Sequence, residues 1–246
     1  MSIATYSKFT DYKVKIQSLT LPIEDFILDE AFLLKKDPKK KLEIFYAPFE
    51  YLNVKAKVVI LGITPGSQQM ENSYEVVWNL RETNFTDKRI LHEVKKISNL
   101  EGATRKNLIS MLDELNLPRY LGITSTSELF CSHNHLLHTT SVLPYPVFHN
   151  GKNYSGSTPN LVSTDLLRTY ITQSFHRELD HLNSPLIIPL GVNVSEALSF
   201  LSDQKLIDTK HILDGFPHPS GRNIHRHQQF AKNKKSMVEK LVAYFK

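Results

Sequence analysis

The chain of 246 residues has one cysteine, Cys131, which excludes an internal disulfide framework and any four-cysteine zinc or iron–sulfur site built within the chain. A reducing compartment fits that scarcity. No apolar run approaches the roughly 18 residues of a membrane span. The opening "MSIATYSKFTDYKVK" lacks the apolar stretch of a signal peptide, so a soluble, cytoplasmic protein with no membrane partner is expected. The common nucleotide fingerprints are also missing: no GxGxxG follows a strand-like run, and neither GxxxxGK[ST] nor GxSxG occurs. There is no internal repeat and no low-complexity tract.

What is present is enough for a full core, since 41% of the residues are apolar. The net charge of +5 suits a polyanionic partner, because basic surfaces concentrate phosphates and speed encounter. Positive charge gathers in "KKDPKKK" (35–41) and in the tail "GRNIHRHQQFAKNKKS" (221–236); taken alone, either cluster also reads as a solvated face.

Short helical patterns in the first 50 residues, broken by "KKDPKKK", suggest an appended helical arm or layer, with residues 51–246 forming one α/β unit. The run Val58-Val59-Ile60-Leu61, ended by Gly62, reads as a fully buried strand. "TRKNLISMLDELNLPRY" reads as a helix capped by Thr104 and stopped by Pro118. A second strand is expected within Leu136–Val142, and a third in "SPLIIPLG", which ends in glycine like the first. A shorter fourth strand is expected near Ile212-Leu213, with helices in "STDLLRTYITQSFHREL", "NVSEALSFL" and the tail. Between the second strand and the next helix, "PYPVFHNGKNYSGSTPN" reads as a long loop, and such loops are usually functional or mobile. Buried strands separated by helices imply a mostly parallel sheet covered on both faces, an α/β class. In such sheets the ligand crevice lies beyond the carboxyl ends of the strands, where "GITPG" (62–66) and "HPSGRN" (218–223) both emerge.

The two loops carry distinct chemistry. Gly62 and Gly66 permit a sharp turn, Pro65 stiffens it, and Thr64 between them offers a hydroxyl. His218, held between Pro217 and Pro219, can present a ring nitrogen to an atom that gains negative charge. Ser220, Gly221 and Asn223 offer small donors and close backbone approach suited to a phosphate.

A strand ending in G-x-x-P-G, together with a late H-P-S loop followed by basic residues, resembles the uracil-DNA glycosylase superfamily. There the first motif reads G-x-D-P-Y or G-x-N-P-G and the second begins H-P-S. The middle segment "SVLPYPVFHNGKNYSGSTPNLVSTDLL" is similar to the single-strand-selective monofunctional branch of that superfamily, as is "HPSGRN" to the branch's H-P-S-P-R-N. The resemblance runs from about residue 58 to 230. It implies a three-layer α/β sandwich around a four-stranded, mostly parallel sheet, DNA (single- or double-stranded) as partner, no cofactor, no metal and no nucleophilic side chain. It also implies base flipping, in which the target base enters a tight pocket and water attacks the sugar C1′ as the N-glycosidic bond breaks.

Carried over residue by residue, Thr64 stands where an Asp or Asn positions the water, and Gly62, Ile63, Pro65 and Gly66 frame the base pocket. His218 stands where a histidine hydrogen-bonds uracil O2. Ser141 falls where the base-reading Asn lies, and Trp78 or Tyr74 stands where an aromatic stacks on the base. Ser220, Gly221, Arg222 and Asn223 correspond to the loop that pinches phosphate or enters the minor groove.

Two of these residues depart from the family pattern. Thr64 can hydrogen-bond a water but cannot take its proton as a carboxylate would. Ser141 cannot reproduce the paired donor and acceptor of an amide, which puts uracil selectivity in question. Three readings therefore stand together: a DNA glycosylase, weak or altered in base preference; a catalytically inactive nucleic-acid-binding member of the same fold; and a metal-dependent hydrolase using His133, His135 and His138 of "HNHLLH".

Overall fold

Val58, Val59, Ile60 and Leu61 are all buried, as a strand covered on both faces requires, and they form the middle of a small sheet. The computed structural model describes residues 2–97 and 100–246. In chain order its strands are β1 (Ser2–Ile3), β2 (Leu33–Asp37), β3 (Leu42–Phe45), β4 (Tyr51–Leu52), β5 (Val58–Gly62), β6 (Leu137–Ser141), β7 (Val147–His149), β8 (Lys152–Asn153) and β9 (Leu186–Pro189). The α-helices are α1 (Phe9–Gln17), α2 (Ser67–Asn79), α3 (Asp87–Ile97), α4 (Gly102–Glu114), α5 (Leu117–Leu121), α6 (Asp165–Tyr170), α7 (His176–Leu179), α8 (Val192–Asp203) and α9 (Arg226–Tyr244). These elements group into two compact units, each discontinuous in sequence: Met1–Leu52 with Ile63–Asn99 and Ser141–Glu178, and Asn53–Gly62 with Leu100–Thr140 and Leu179–Lys246.

The second unit holds the sheet β6-β5-β9. β5 and β9 run parallel, from Val58 opposite Leu186 to Leu61 opposite Pro189. The fourth strand expected near Ile212 is reduced to one parallel bridge between Ile187 and Ile212, with the Leu213 N–H donating to Ile187 O at 2.8 Å. Every second residue of the two parallel strands, Val58 and Ile60 with Leu186 and Ile188, packs against Leu108, Met111 and Leu112 of α4 and Phe230, Met237 and Leu241 of α9. The spacing of the α9 residues is the amphipathic stripe read from the tail.

The helix expected over 104–120 is two helices. Asn116 adopts a left-handed conformation (φ 58°) that ends α4, and Pro118 lies in the first turn of α5, where its missing N–H has no partner to lose. Proline here starts a helix instead of stopping one. α4 begins earlier than expected, behind Glu101, with Thr104 inside it.

The first unit contains the sheet β2-β3-β7-β8, antiparallel throughout, and the β1-β4 pair. Among the described residues up to 50, the helical segments are α1 and two 3₁₀ turns, Ile23–Phe26 and Glu30–Phe32; "KKDPKKK" is the end of β2 and the turn of the β2-β3 hairpin. The long loop after β6 contains the β7-β8 hairpin. Its turn is Asn150-Gly151, both at positive φ (52° and 69°), the pairing favoured in two-residue hairpins. The expected helix over "STDLLRTYITQSFHREL" is α6 and α7 joined through a π-helical segment, Ile171–Phe175. An aromatic core holds this unit together: Tyr12 stacks on Tyr46 at 4.1 Å between ring centroids, Phe32 lies 4.8 Å from Tyr74, and Tyr46 lies 5.7 Å from Tyr145. No helix among the described residues is long and apolar enough to cross a membrane.

Candidate functional site

His218 is seated by the end of β9. Pro189 is followed by Leu190, whose N–H donates to Leu61 O, and by Gly191, whose N–H donates to Phe216 O at 3.1 Å. This draws the chain before His218 against the carboxyl ends of β5 and β9. Gly191 has φ 92°, and a Cβ there would lie 3.0 Å from the Cβ of His218. Glycine is required at this position twice over, for its backbone conformation and for the histidine's approach.

The ring of His218 is half-buried, and its protonation is readable from its partners. The Ser220 N–H donates to Nδ1 at 3.1 Å. An accepting Nδ1 puts the proton of the neutral ring on Nε2, which has no hydrogen-bond partner among the described residues. Burial lowers the imidazole pKa, favouring that neutral form. The loop is braced beyond the ring as well. Asn107 of α4 donates to Pro219 O at 2.8 Å, Asn223 donates to His218 O at 3.1 Å, and the Arg222 N–H donates to Ser220 Oγ at 3.2 Å. Asn233 of α9 donates to Gly215 O at 2.8 Å. Gly221 and Arg222 are exposed, with open space around the Gly221 Cα, so this part of the loop is free to meet a ligand. Gly62, the last residue of β5, is half-buried.

In the first unit, the Leu143 N–H donates to Ile63 O at 2.9 Å, which sets the segment after β6 beside the "GITPG" loop. The Thr64 hydroxyl donates to Tyr145 O at 2.9 Å and accepts the Val147 N–H at 3.0 Å. Its single proton and one of its two lone pairs are therefore used, leaving one lone pair for a water. Pro65 is buried, and the Gly66 N–H donates to the Gln69 side chain, closing the first turn of α2. Ser141, half-buried, ends β6 two residues before Leu143, so this unit brings together the segments of Thr64 and Ser141.

The aromatic candidates lie elsewhere in that unit. Trp78 is about 16 Å along α2 from Ser67 at 1.5 Å per residue. Its indole N–H donates to Leu19 O at 2.9 Å, and the Arg81 guanidinium covers its ring at 3.6 Å. Tyr74 is fully buried, with its hydroxyl on Tyr46 O at 2.7 Å. Neither ring is presented at the start of α2. Of the histidines of "HNHLLH", His133 and His135 have ring centroids 5.8 Å apart, without a third ligand among the described residues. His133 contacts Glu128 at 2.9 Å while His138 is buried in β6, and among the described residues no three His, Cys, Asp or Glu side chains converge on one point.

Sequence reasoning passes over Glu50, Tyr145, Gly191 and Asn107. The Glu50 carboxylate is buried and accepts from the Tyr145 hydroxyl (2.6 Å), the Lys8 N–H (2.7 Å), Ser7 (2.8 Å) and Tyr46 (3.2 Å). Burial pushes its pKa up, against the pull of those four donors. Through Tyr145 it supports the backbone on which Thr64 rests. Of these four, only Gly191 carried a signal in the sequence, as the glycine that ends "SPLIIPLG".

The profile of the Uracil DNA glycosylase superfamily matches residues 49–246. The chain is also 39% identical, over 220 residues, to the uncharacterized protein YoxB of Bacillus subtilis (strain 168); the aligned region covers 89% of this chain and 85% of YoxB. No solved structure matches. With the family profile spanning both motif loops and all three strands of the sheet β6-β5-β9, the chain belongs to the uracil DNA glycosylase superfamily.

Proposed function

We propose that the protein is a monofunctional DNA glycosylase that hydrolyses the N-glycosidic bond of uracil or another damaged base flipped out of DNA, with the motif pattern of the single-strand-selective branch. The observation that carries this reading is the protonation of His218: Nδ1 accepts from the Ser220 N–H, so the neutral ring has Nε2–H to donate. As the C1′–N bond breaks, its electron pair passes to the base and negative charge grows on O2. A hydrogen bond from Nε2 stabilises that charge without a proton being transferred, and one such donor is typically worth ~10²–10³ in rate. A water oxygen then bonds to C1′ and loses a proton to solvent, leaving an abasic sugar. Thr64 holds that water through its remaining lone pair, and Ser141 contacts the base edge. Ser220, Gly221, Arg222 and Asn223 contact the phosphates.

One observation favours a second reading, an inactive DNA-binding member of the fold. Thr64 spends its only proton on Tyr145 O and has no carboxylate with which to activate a water. The two readings separate in one assay. Single- and double-stranded oligonucleotides carrying uracil, xanthine, hypoxanthine or hydroxymethyluracil are incubated with the wild type, His218→Ala and Thr64→Asn, then treated with alkali. The glycosylase reading expects cleavage by the wild type and a loss of about 10²–10³-fold in His218→Ala. Activity in Thr64→Asn with none in the wild type establishes the inactive reading instead.

A further inference from the structure

The lysines of "KKDPKKK" lie outside the region matched by the family profile, and the site described above does not use them. In the fold they are not a free tail. The sheet register puts Asp37, Leu42, His149 and Lys152 in one row across β2-β3-β7-β8. The β2-β3 turn and the β7-β8 turn therefore project from the same end of the sheet, tied by the Asn150 N–H donating to Lys41 O at 3.1 Å. Lys35, Lys39, Lys40, Lys41 and Lys152 are all exposed there.

The acids of this end are already engaged. Asp37 accepts the Lys40 backbone N–H, and Glu43 pairs with Lys36 at 2.6 Å. Lys40 reaches Thr164, but Lys39, Lys41 and Lys152 make no side-chain hydrogen bond or ion pair among the described residues. Three strand spacings make the row about 14 Å wide. At one charge per 3.4 Å of helix axis for each strand of a duplex, that width spans roughly four nucleotides of a duplex strand, and fewer of an extended single strand.

A second observation ties this end to the candidate site. Asn153, next to Lys152, accepts the Ser67 N–H at 3.1 Å, and its amide group donates to Ser67 Oγ at 3.4 Å. Ser67 opens α2, directly after Thr64-Pro65-Gly66. Lys152 thus adjoins a residue that holds the start of α2, directly after the loop that the proposed chemistry uses, and Lys39 and Lys41 share its end of the sheet.

We propose that the paired hairpin turns form a backbone-binding surface for the DNA strand flanking the target nucleotide, with Lys39, Lys41 and Lys152 contacting its phosphates. This rests on the DNA glycosylase-fold reading of the site. It adds Lys39 and Lys41, which precede the family-matched region, to the phosphate contacts that Lys152 and the 220–223 loop supply from within it.

The test is binding of an undamaged, fluorescein-labelled 20-nucleotide single strand at 50 to 200 mM salt by the wild type, K39Q/K41Q/K152Q, K39R/K41R/K152R and Arg222→Gln. The glutamine variant is expected to bind at least ~10-fold more weakly, with a salt slope shallower by about 2, since each lost phosphate contact removes roughly 0.7 on single strands. The arginine variant is expected to keep the wild-type slope, which separates loss of charge from loss of fold. If the glutamine variant keeps wild-type affinity and slope while Arg222→Gln weakens binding, the surface is overturned and the proposed function stands. An arginine variant as weak as the glutamine one also overturns it. A wild type that shows no salt-dependent binding overturns both proposals.

Discussion

Thr64 and His218 both sit beside proline in short loops, yet their polar atoms are used differently. The Thr64 hydroxyl is turned back onto Tyr145 and Val147, so it works first as a brace. His218 has one nitrogen fixed by the Ser220 N–H and the other left to act. Their residue types were legible in the sequence, but this division of labour was not, because it depends on which backbone groups each side chain meets: Tyr145 and Val147 outside the motif for Thr64, and the Ser220 N–H within it for His218. Glu50 was less legible still: its donors include Tyr145, 95 residues away, and Ser7, 43 residues away. The state of His218 has a measurable consequence. Burial lowers its folded pKa, so the unfolded chain takes up a proton first as pH falls below the ordinary histidine value of about 6.5. The stability linked to this group is complete above that value and is lost as pH falls toward the folded pKa. Urea unfolding midpoints between pH 7 and pH 5 are therefore expected to fall less steeply in His218→Gln than in the wild type. Equal slopes would show that the ring is not held neutral.

Among the elements, those with long-lived apolar patterns were the readable ones. β5, β9 and the buried stripe of α9 follow from runs and spacings whose partners are the core itself. The β7-β8 hairpin was missed although Asn150-Gly151 is a strong turn signal, because β8 is only two residues long and leaves no strand pattern to read. The split between α4 and α5 was missed because Asn116 takes a left-handed conformation that no apolar spacing reveals. The β9-α8 connection is the element on which the site depends most. Ala at Gly191 would hold an L side chain at φ 92° and press its Cβ to within 3.0 Å of that of His218. Gly191→Ala is expected to cost about 1–3 kcal/mol in denaturant unfolding and to lower base release by displacing the ring. Gly221→Ala is the control: its added methyl meets nothing within 4 Å, so a change within about 0.5 kcal/mol is expected. A Gly191→Ala protein as stable as this control, and as active as the wild type, would remove the seat assigned to His218.

At the scale of the whole molecule, the family profile begins at residue 49, but the packing does not. The unit that contains Thr64 is built with residues before 49: β3 is the partner of β7, and Ser7, Lys8 and Tyr46 supply three of the four donors to Glu50. Phe9, Ile16, Phe32, Ile44 and Tyr46 are nearly or fully buried there. At about 1.5–3 kcal/mol for each buried large side chain, their loss approaches the about 5–15 kcal/mol by which a domain is stable at all. The orphaned carboxylate of Glu50 adds about 1–3 kcal/mol for each donor it loses. Truncation therefore outweighs whatever strain the remaining contacts can absorb. A chain starting at residue 49 is expected to lose hydrogen-exchange protection at the amides of Val147, Phe148 and Tyr154, which are held by β3, by Thr64 or within the β7-β8 hairpin. The amides of β5 and β9, which pair within the other unit, are expected to stay protected longer. Protection at Val147 and Phe148 equal to that of the full chain would show that the residues before 49 are an appendage rather than part of the unit that carries Thr64.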